Sequence, residues 1–335
     1  MSGGGRGLSL MSGGLDSQLA VRVLQRAGAY VEGVAFATPF FASDAAEKAA
    51  GALGVKLHVV DFTDDELALL RGPPHGFGGA MNPCIDCHVA MIARAGELMA
   101  GLGFDFVATG EVLGQRPMSQ NRQSLGIVEK CSGMKGRLVR PLSAALLEPT
   151  VPELEGLIDR GALLDISGRG RERQIALAAE FGIVDYPSPA GGCKLTEAGF
   201  CRRLKDLMDH EGLGDRRLVE LLSTGRRFRL PGGSGVALGR DRLENATLRK
   251  AAEDASSGWL TVQPVNAPGP TALVPAAVKD DMRLVLGLVC AYSRSDRLSG
   301  NVKLALRRFG DGGGEAVMEV PRPYDRDLYK EYQIC

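Results

Sequence analysis

Apolar and polar positions switch repeatedly between a short, strand-like run and helical spacing over the first 110 residues. Gly7 to Met11 is a brief apolar run that ends in a glycine turn, after which Leu19, Ala20, Val23 and Leu24 recur at helical spacing. Tyr30 to Thr38 (YVEGVAFAT) predicts a second strand, alanine-rich Ala45 to Leu53 a helix, and Val55 to Phe62 (VKLHVVDF) a third strand. Ala90 to Leu102 predicts a helix and Phe104 to Thr109 (FDFVAT) a further strand. Strands that alternate with helices imply an α/β fold, a doubly wound parallel sheet with helices on both faces. Ligands of such sheets sit at the carboxyl ends of the strands.

From about Ser143 the pattern changes. Val151 to Arg160 and Gly170 to Phe181 predict helices, a proline-glycine break spans Pro187 to Gly192, and helical spacing continues to about Leu222. The following GRRFRLPGGSGVALGR alternates between turn glycines, as a new and smaller α+β domain would. The expected domains are therefore 1–222 and 223–335.

Of the 335 residues, 44% are apolar and 24% charged, an ordinary globular mix for about two domains. The formal net charge is zero, so overall charge gives no argument for a nucleic-acid partner. The local argument is a basic stretch from Arg216 to Lys250, which also fits a solvated face. No apolar run reaches transmembrane length and no secretory signal is legible, so the expectation is a cytoplasmic protein with no membrane. Its seven cysteines are then better read as ligands, nucleophiles or small core groups than as disulfides.

The first chemistry lies in LSLMSGGLDS, where a strand feeds Ser12-Gly13-Gly14 and the chain then enters a helix. Glycines let the backbone approach an anion, and a helix start supplies unpaired N–H groups and a positive dipole end. Ser12 and Ser17 add hydroxyls. Asp16 beside phosphate makes sense with Mg²⁺ between them or as a helix cap. No Walker loop is present.

Three further segments fall at expected strand ends. They are Asn82-Pro83-Cys84-Ile85-Asp86-Cys87-His88, Ala108-Thr109-Gly110-Glu111 running on to Gln115, and Pro187 to Cys193. A CxxC turn at a helix start lowers the pKa of at least one thiol, and a distant cysteine can complete a site in space. Four readings stay open: zinc with His88 as fourth ligand, an iron–sulfur cluster on Cys84, Cys87 and Cys193, a persulfide-carrying redox pair, and a CxxC turn with no cofactor. Cys290, in LVLGLVCAYS, reads as core. Cys201 falls in a helix, Cys131 in a loop, and Cys335 is last in the chain.

SGGLDS placed between strand and helix resembles the signature of PP-loop ATP pyrophosphatases, of the adenine nucleotide alpha hydrolase-like class. Those enzymes cleave ATP between the α- and β-phosphates and adenylate a substrate oxygen. SGGLDS, NPCIDCHVAMIARAGELM, ATGEVLGQRPMSQN and LVRPLS, in that order, resemble the PP-loop domain of tRNA 4-thiouridine synthases. Pro189 to Cys193 is similar to the late cysteine of 2-thiouridylases. The resemblance covers roughly residues 7 to 195. It implies ATP as substrate and Ser12, Gly13, Gly14, Asp16, Ser17, Thr109, Gly110 and Gln115 as nucleotide-binding residues. It also implies Asp16, Cys84, Cys87 and Cys193 as catalytic residues, with the three cysteines holding a 4Fe-4S cluster whose open iron binds hydrosulfide. The strand ahead of the loop begins at about residue 7, so no RNA-binding THUMP region is expected before it. No rhodanese segment is legible after the loop domain. That favours sulfide as donor, with a sulfur-carrier protein left open.

Gly239-Arg240-Asp241-Arg242-Leu243-Glu244-Asn245, Gly258-Trp259-Leu260 to Pro268-Gly269-Pro270, and Ala291-Tyr292-Ser293-Arg294 followed by Val302-Lys303 resemble the NFACT-R domain, an RNA-binding module. Asp241 stands where that family carries Asn. Trp259 could stack on a base but is more often a core anchor. The implied activity is ATP-dependent tRNA thiolation, with tRNA as partner and a homodimer left open. The rivals are a cluster-free persulfide thiouridylase, a PP-loop enzyme acting on a small molecule, and a non-catalytic RNA-binding protein.

Overall fold

A computed structural model describes residues 4–188, 192–254, 257–278, 280–294, 300–310, 313–321 and 325–335. Pro189, Ala190 and Gly191 of the proline-glycine break lie outside the described residues. The chain divides into two compact units, Met1–Thr196 and Glu197–Cys335.

In the first unit, β1 (Arg6–Leu10), α1 (Leu15–Arg26), β2 (Tyr30–Ala37), α2 (Asp44–Leu53), β3 (Leu57–Asp61), α3 (Thr63–Arg71), α4 (Cys84–Leu102), β4 (Phe106–Ala108), α5 (Arg122–Cys131) and β5 (Leu138–Val139) follow in order. The short α6 (Val151–Leu154) and α7 (Glu172–Glu180) complete it. The five strands are all parallel, in the order β3-β2-β1-β4-β5. The doubly wound sheet expected from the pattern is therefore present.

Period-2 alternation sorts the strands onto two cores. Val31, Ala35, Phe106 and Ala108 meet α1, α2 and α7 on one face, whereas Leu8, Val34, Phe36 and Val107 meet α4 and α5 on the other. The strand order reverses between β1 and β4. Ligands of open α/β sheets bind beyond the carboxyl ends at that point.

Several element limits differ from the pattern. The helix expected from Ala90 begins six residues earlier, so Cys84 and Cys87 occupy its first turn. The helix expected over Val151 to Arg160 stops at Leu154, because Gly156 takes φ +71°, which ends the turn. Cys131, expected in a loop, is the last residue of α5.

The second unit holds α8 (Ala198–His210), α9 (Arg216–Glu220), β6 (Arg226–Arg229), β7 (Gly235–Leu238), α10 (Arg242–Asp254), β8 (Ser257–Pro264), β9 (Ala272–Pro275), α11 (Met282–Tyr292), β10 (Val302–Gly310), β11 (Gly314–Val320) and β12 (Gln333–Ile334). Its seven strands are antiparallel, in the order β11-β10-β8-β9-β7-β6-β12, with α11 and Phe228 in the main core. This is the α+β unit expected, but it starts at Glu197 rather than 223. Helix α8 buries Phe200, Cys201, Leu204 and Leu207. Its Asp206 and Glu211 pair with Arg229 of β6. Amphipathic spacing shows that such a helix packs, but not on which partner.

Candidate functional site

The turn after β1 is built as a cradle. Gly13 sits at φ +77°, and a Cβ there would meet the Ala45 carbonyl carbon at 2.3 Å, so only glycine fits. Gly14 caps α1 in extended conformation without any side-chain cap. The buried Gln18 amide donates to the Gly13 and Asp185 carbonyls at 2.9 and 3.0 Å and fixes the turn from behind. Ser12 is exposed at the mouth. The Ser17 hydroxyl, expected to face an anion, donates instead to the Gly14 carbonyl at 2.8 Å.

Asp16 accepts from the Gln115 amide at 3.0 Å through Oδ2, while Oδ1 is buried with no partner. Burial pushes its carboxyl up, against the Gln115 hydrogen bond and the charges of Arg171 and Arg116. The orphaned, buried carboxylate oxygen beside the glycine turn fits a hydrated Mg²⁺, which takes one or two carboxylates and completes its shell with water and phosphate.

Gly110, after β4, approaches this turn closely. A Cβ on it would meet the Asp16 carbonyl carbon and the Ser17 nitrogen at 2.6 Å. Its neighbours Thr109 and Glu111 face the other way. Buried Glu111 accepts from Thr109 Oγ1 at 3.0 Å and from Arg140 Nε at 2.9 Å, and its Oε1 lies 3.0 Å from His88 Nδ1. Although burial alone would raise it, Arg140 and His88 hold the Glu111 carboxyl down at about 2. Arg140 also reaches Glu129 at 3.2 Å and the Leu125 carbonyl at 3.1 Å.

Cys84 and Cys87, three apart on the first turn of α4, point to one side. Cys193 reaches them from far along the chain because its neighbours are tied down. Lys194 N donates to the Phe40 carbonyl at 2.9 Å, and Met81 N donates to the Leu195 carbonyl at 3.3 Å. The charge of Cys193 is felt at Cys87, as is that of Cys84.

The expected lowering of a thiol pKa is reversed. Burial pushes Cys87 well up, aided by the Glu66 carboxyl against it. Burial pushes Cys84 up as well, opposed by Arg116. Desolvation of a thiolate outweighs the helix end here. Among the described residues no three His, Cys, Asp or Glu side chains are gathered tightly enough for one metal ion. Glu111 engages His88 through Nδ1, which leaves Nε2 as the ring's remaining ligand atom.

Arg116 and Arg140 fall in segments already singled out in the sequence, whereas spacing gave no signal for Glu66 or Arg171 as neighbours of these groups. The four arrive from α3, from loops and from the head of α7. Cys290 is a buried core group, as expected, and Cys201 lies in a helix, as expected, on the buried side of α8. Trp259 packs, half-buried, against Leu221, Leu248 and Leu273. In the basic stretch, Arg216, Arg217, Arg229 and Arg240 are already paired with Glu220, Asp215, Asp206 with Glu211, and Glu244.

Comparison with known proteins bears on the first unit. A probable tRNA sulfurtransferase of Geobacillus kaustophilus is 28% identical over 147 residues, covering 41% of this chain and 35% of that protein. One from Agathobacter rectalis is 29% identical over 174 residues, covering 49% of this chain and 39% of that protein. The chain thus spans little more than a third of the length of these curated relatives. The crystal structure of a 4-thiouridine synthetase–RNA complex with bound ATP superposes with a TM-score of 0.40 at 20% identity, over 64% of this chain and 52% of that chain. A superposition that loose carries no functional argument. The family model described as "Thiamine biosynthesis protein (ThiI)" matches residues 2–145, so the likeness to that family lies in the first unit.

Proposed function

We propose that this chain thiolates a uridine of tRNA at the expense of ATP, adenylating the uridine carbonyl oxygen and then replacing it with sulfur. One observation carries the reading. Gly110 lies against Asp16 and Ser17, and its neighbour Glu111 bonds His88 beside Cys87, which brings the glycine turn and the CxxC helix to the same strand end. The names of the curated relatives agree with it.

The uridine oxygen attacks the α-phosphorus of ATP and the bond to the β-phosphate breaks, so pyrophosphate leaves. Backbone N–H groups of Ser12 to Ser17 and the α1 dipole stabilise the charge that develops on the phosphates. Asp16 would hold Mg²⁺ through its unpartnered oxygen. Sulfur then adds to the activated carbon and AMP departs. The activation is needed because sulfide does not displace a pyrimidine carbonyl oxygen unaided. A base inside an RNA fold must be flipped out to reach this mouth.

Three thiols whose charges act on one another are read as the holders of a 4Fe-4S cluster. Cys84, Cys87 and Cys193 would hold it, and when bound it supplies the sulfur nucleophile. Buried Glu66 and Cys87 shield that side from water. The second unit, read as NFACT-R-like, supplies the grip on RNA.

Mass spectrometry of tRNA nucleosides from a deletion strain tests the function: a thiolated uridine disappears, and an unchanged nucleoside profile refutes it. Iron and sulfide analysis of anaerobically prepared protein tests the cluster. Iron-free protein that still thiolates tRNA would leave the persulfide route in its place.

A further inference from the structure

The second unit contains a recess that the thiolation chemistry does not use. A cavity of about 180 Å³ opens between the start of α8 at Gly199, the head of β6 at Gly225, and the side chains of Arg203, Arg227 and Arg240. Residues 333–335 close one wall. Among the described residues two of these arginines make no ion pair, although Glu197 acts on Arg203, Glu211 and Asp206 act on Arg227, and the main-chain carboxylate of Cys335 lies in the wall near Gly199. Alternation along β6 sends Phe228 into the core and turns Arg227 and Arg229 to the other face.

The acids facing Arg227 and Arg229 are Asp206 and Glu211 of α8, and both are taken up by Arg229 at 2.7 Å. Glu244 is taken up by Arg240, with Nε to Oε1 at 2.9 Å. Arg203 donates only to carbonyls, to Leu222 at 2.9 Å and to Gly199 at 3.2 Å. Arg227 donates to the Leu221 carbonyl, and its Nε is buried with no partner. Neither makes an ion pair among the described residues.

Their mutual repulsion registers chemically. Burial and the Arg203 charge push the Arg227 guanidinium down to about 10, and burial with Arg240 lowers Arg203. Arg226, at the same mouth, stacks over Tyr292. Helix α8 adds the positive end of a 13-residue dipole, and its N-cap Glu197 makes no side-chain cap. Partly buried guanidiniums without an ion pair are costly to desolvate, and a bound anion lowers that cost.

We infer that this recess is a phosphate-binding site, in which Arg203 and Arg227 grip the anion and Arg240 guards the rim. Forked guanidiniums at a helix start are suited to a phosphate with several acceptor oxygens. Its occupant is a backbone phosphate of RNA. That assignment rests on the tRNA reading above, whereas the phosphate chemistry does not. A free phosphate would satisfy the same groups.

Two measurements on the full chain test the site. In the first, thermal melting in inorganic phosphate is compared with chloride at matched ionic strength. Phosphate raises the transition of the unaltered protein, and Arg203→Gln and Arg227→Gln each lose most of that rise. In the second, tRNA anisotropy is titrated across salt concentrations. Arg203→Gln lowers the log–log salt slope by about one, and Arg203→Lys, which keeps the charge, restores it. Protection by phosphate with an unchanged tRNA slope upholds the site and makes its ligand a free anion.

The inference is overturned if the unaltered protein gains nothing from phosphate over chloride, or if Arg203→Gln gains as much as the unaltered protein. The unaltered protein alone decides the first of these, so a poorly folding variant does not leave the matter open. Thiolation at saturating tRNA is scored on the same samples. A failed pocket with intact thiolation then differs from a failed function.

Discussion

Replacing Glu111 with Gln removes the acid at the centre of the Arg140–Glu111–His88 network and leaves Arg140 buried, with Glu129 as its remaining carboxylate. Glu111 and Arg140 are 5% and 4% exposed, so the loss is not softened by water. Breaking such a buried pair from one side costs about 3–5 kcal/mol. The Glu111 carboxyl gives a consistent figure by another route. It is depressed to about 2 in the fold from an ordinary 4.5. At roughly 1.4 kcal/mol per pKa unit, that difference is worth about 3 kcal/mol.

Because the folded pKa is the lower one, this stability is fully present above pH 4.5. It is lost as pH falls from 4.5 towards 2. The assay is urea denaturation followed by far-UV circular dichroism, at pH 7 and at steps down to pH 3, on the unaltered chain and on Glu111→Gln. At pH 7 the variant loses about 3 kcal/mol, on the order of 10 °C in melting temperature for a unit of this size. The gap between the two proteins narrows steadily below pH 4.5. Other carboxylates titrate in the same range, but they contribute equally to both curves. A variant within about 0.5 kcal/mol of the unaltered chain at pH 7, or a gap that does not change with pH, would refute the reasoning.

Asp16→Asn keeps the Gln115 contact but removes the charge, and is expected to cut ATP-dependent pyrophosphate release by about a hundredfold or more without a loss of melting temperature; equal release in a discontinuous assay contradicts it. Gly110→Ala forces a Cβ to within 2.6 Å of the first turn of α1 and is expected to weaken ATP binding at least tenfold by calorimetry, whereas unaltered affinity would mean that the approach is not needed. In metal-free protein at pH 8, iodoacetamide should label exposed Cys131 well before buried Cys87, whose thiol is held protonated. Peptide mass spectrometry that found Cys87 labelled first would reverse the electrostatic account of the CxxC turn.

Much of the first unit was legible because its signals are local. A buried strand needs period-2 or continuous apolar residues, a helix needs them at three and four, and a turn at φ +77° needs Gly13. The strand–glycine–helix cradle, the four β-strands read ahead of residue 110 and the CxxC at a helix start all follow from neighbours within a few positions. The limits of the elements were less legible. Gly156 and the first turn of α4 shift an end by several residues without altering the periodicity around them.

By itself, the sequence determined an α/β unit with a glycine turn between its first strand and first helix. Only the tertiary structure decided what its side chains feel. The order β3-β2-β1-β4-β5 brings the loop after β4 onto the cradle, so that Gly110 touches Asp16 and Ser17. Burial, with Glu66 packed against it, turns a thiol expected to be acidic into one held well above its ordinary range. Burial of α8 beside β6 moves the unit boundary to Glu197 and pairs Asp206 and Glu211 with Arg229, so that Arg203 and Arg227 make no ion pair of their own among the described residues. Periodicity reports which side of an element is dry, whereas a pKa or an unpaired charge depends on which distant residues share that dry space.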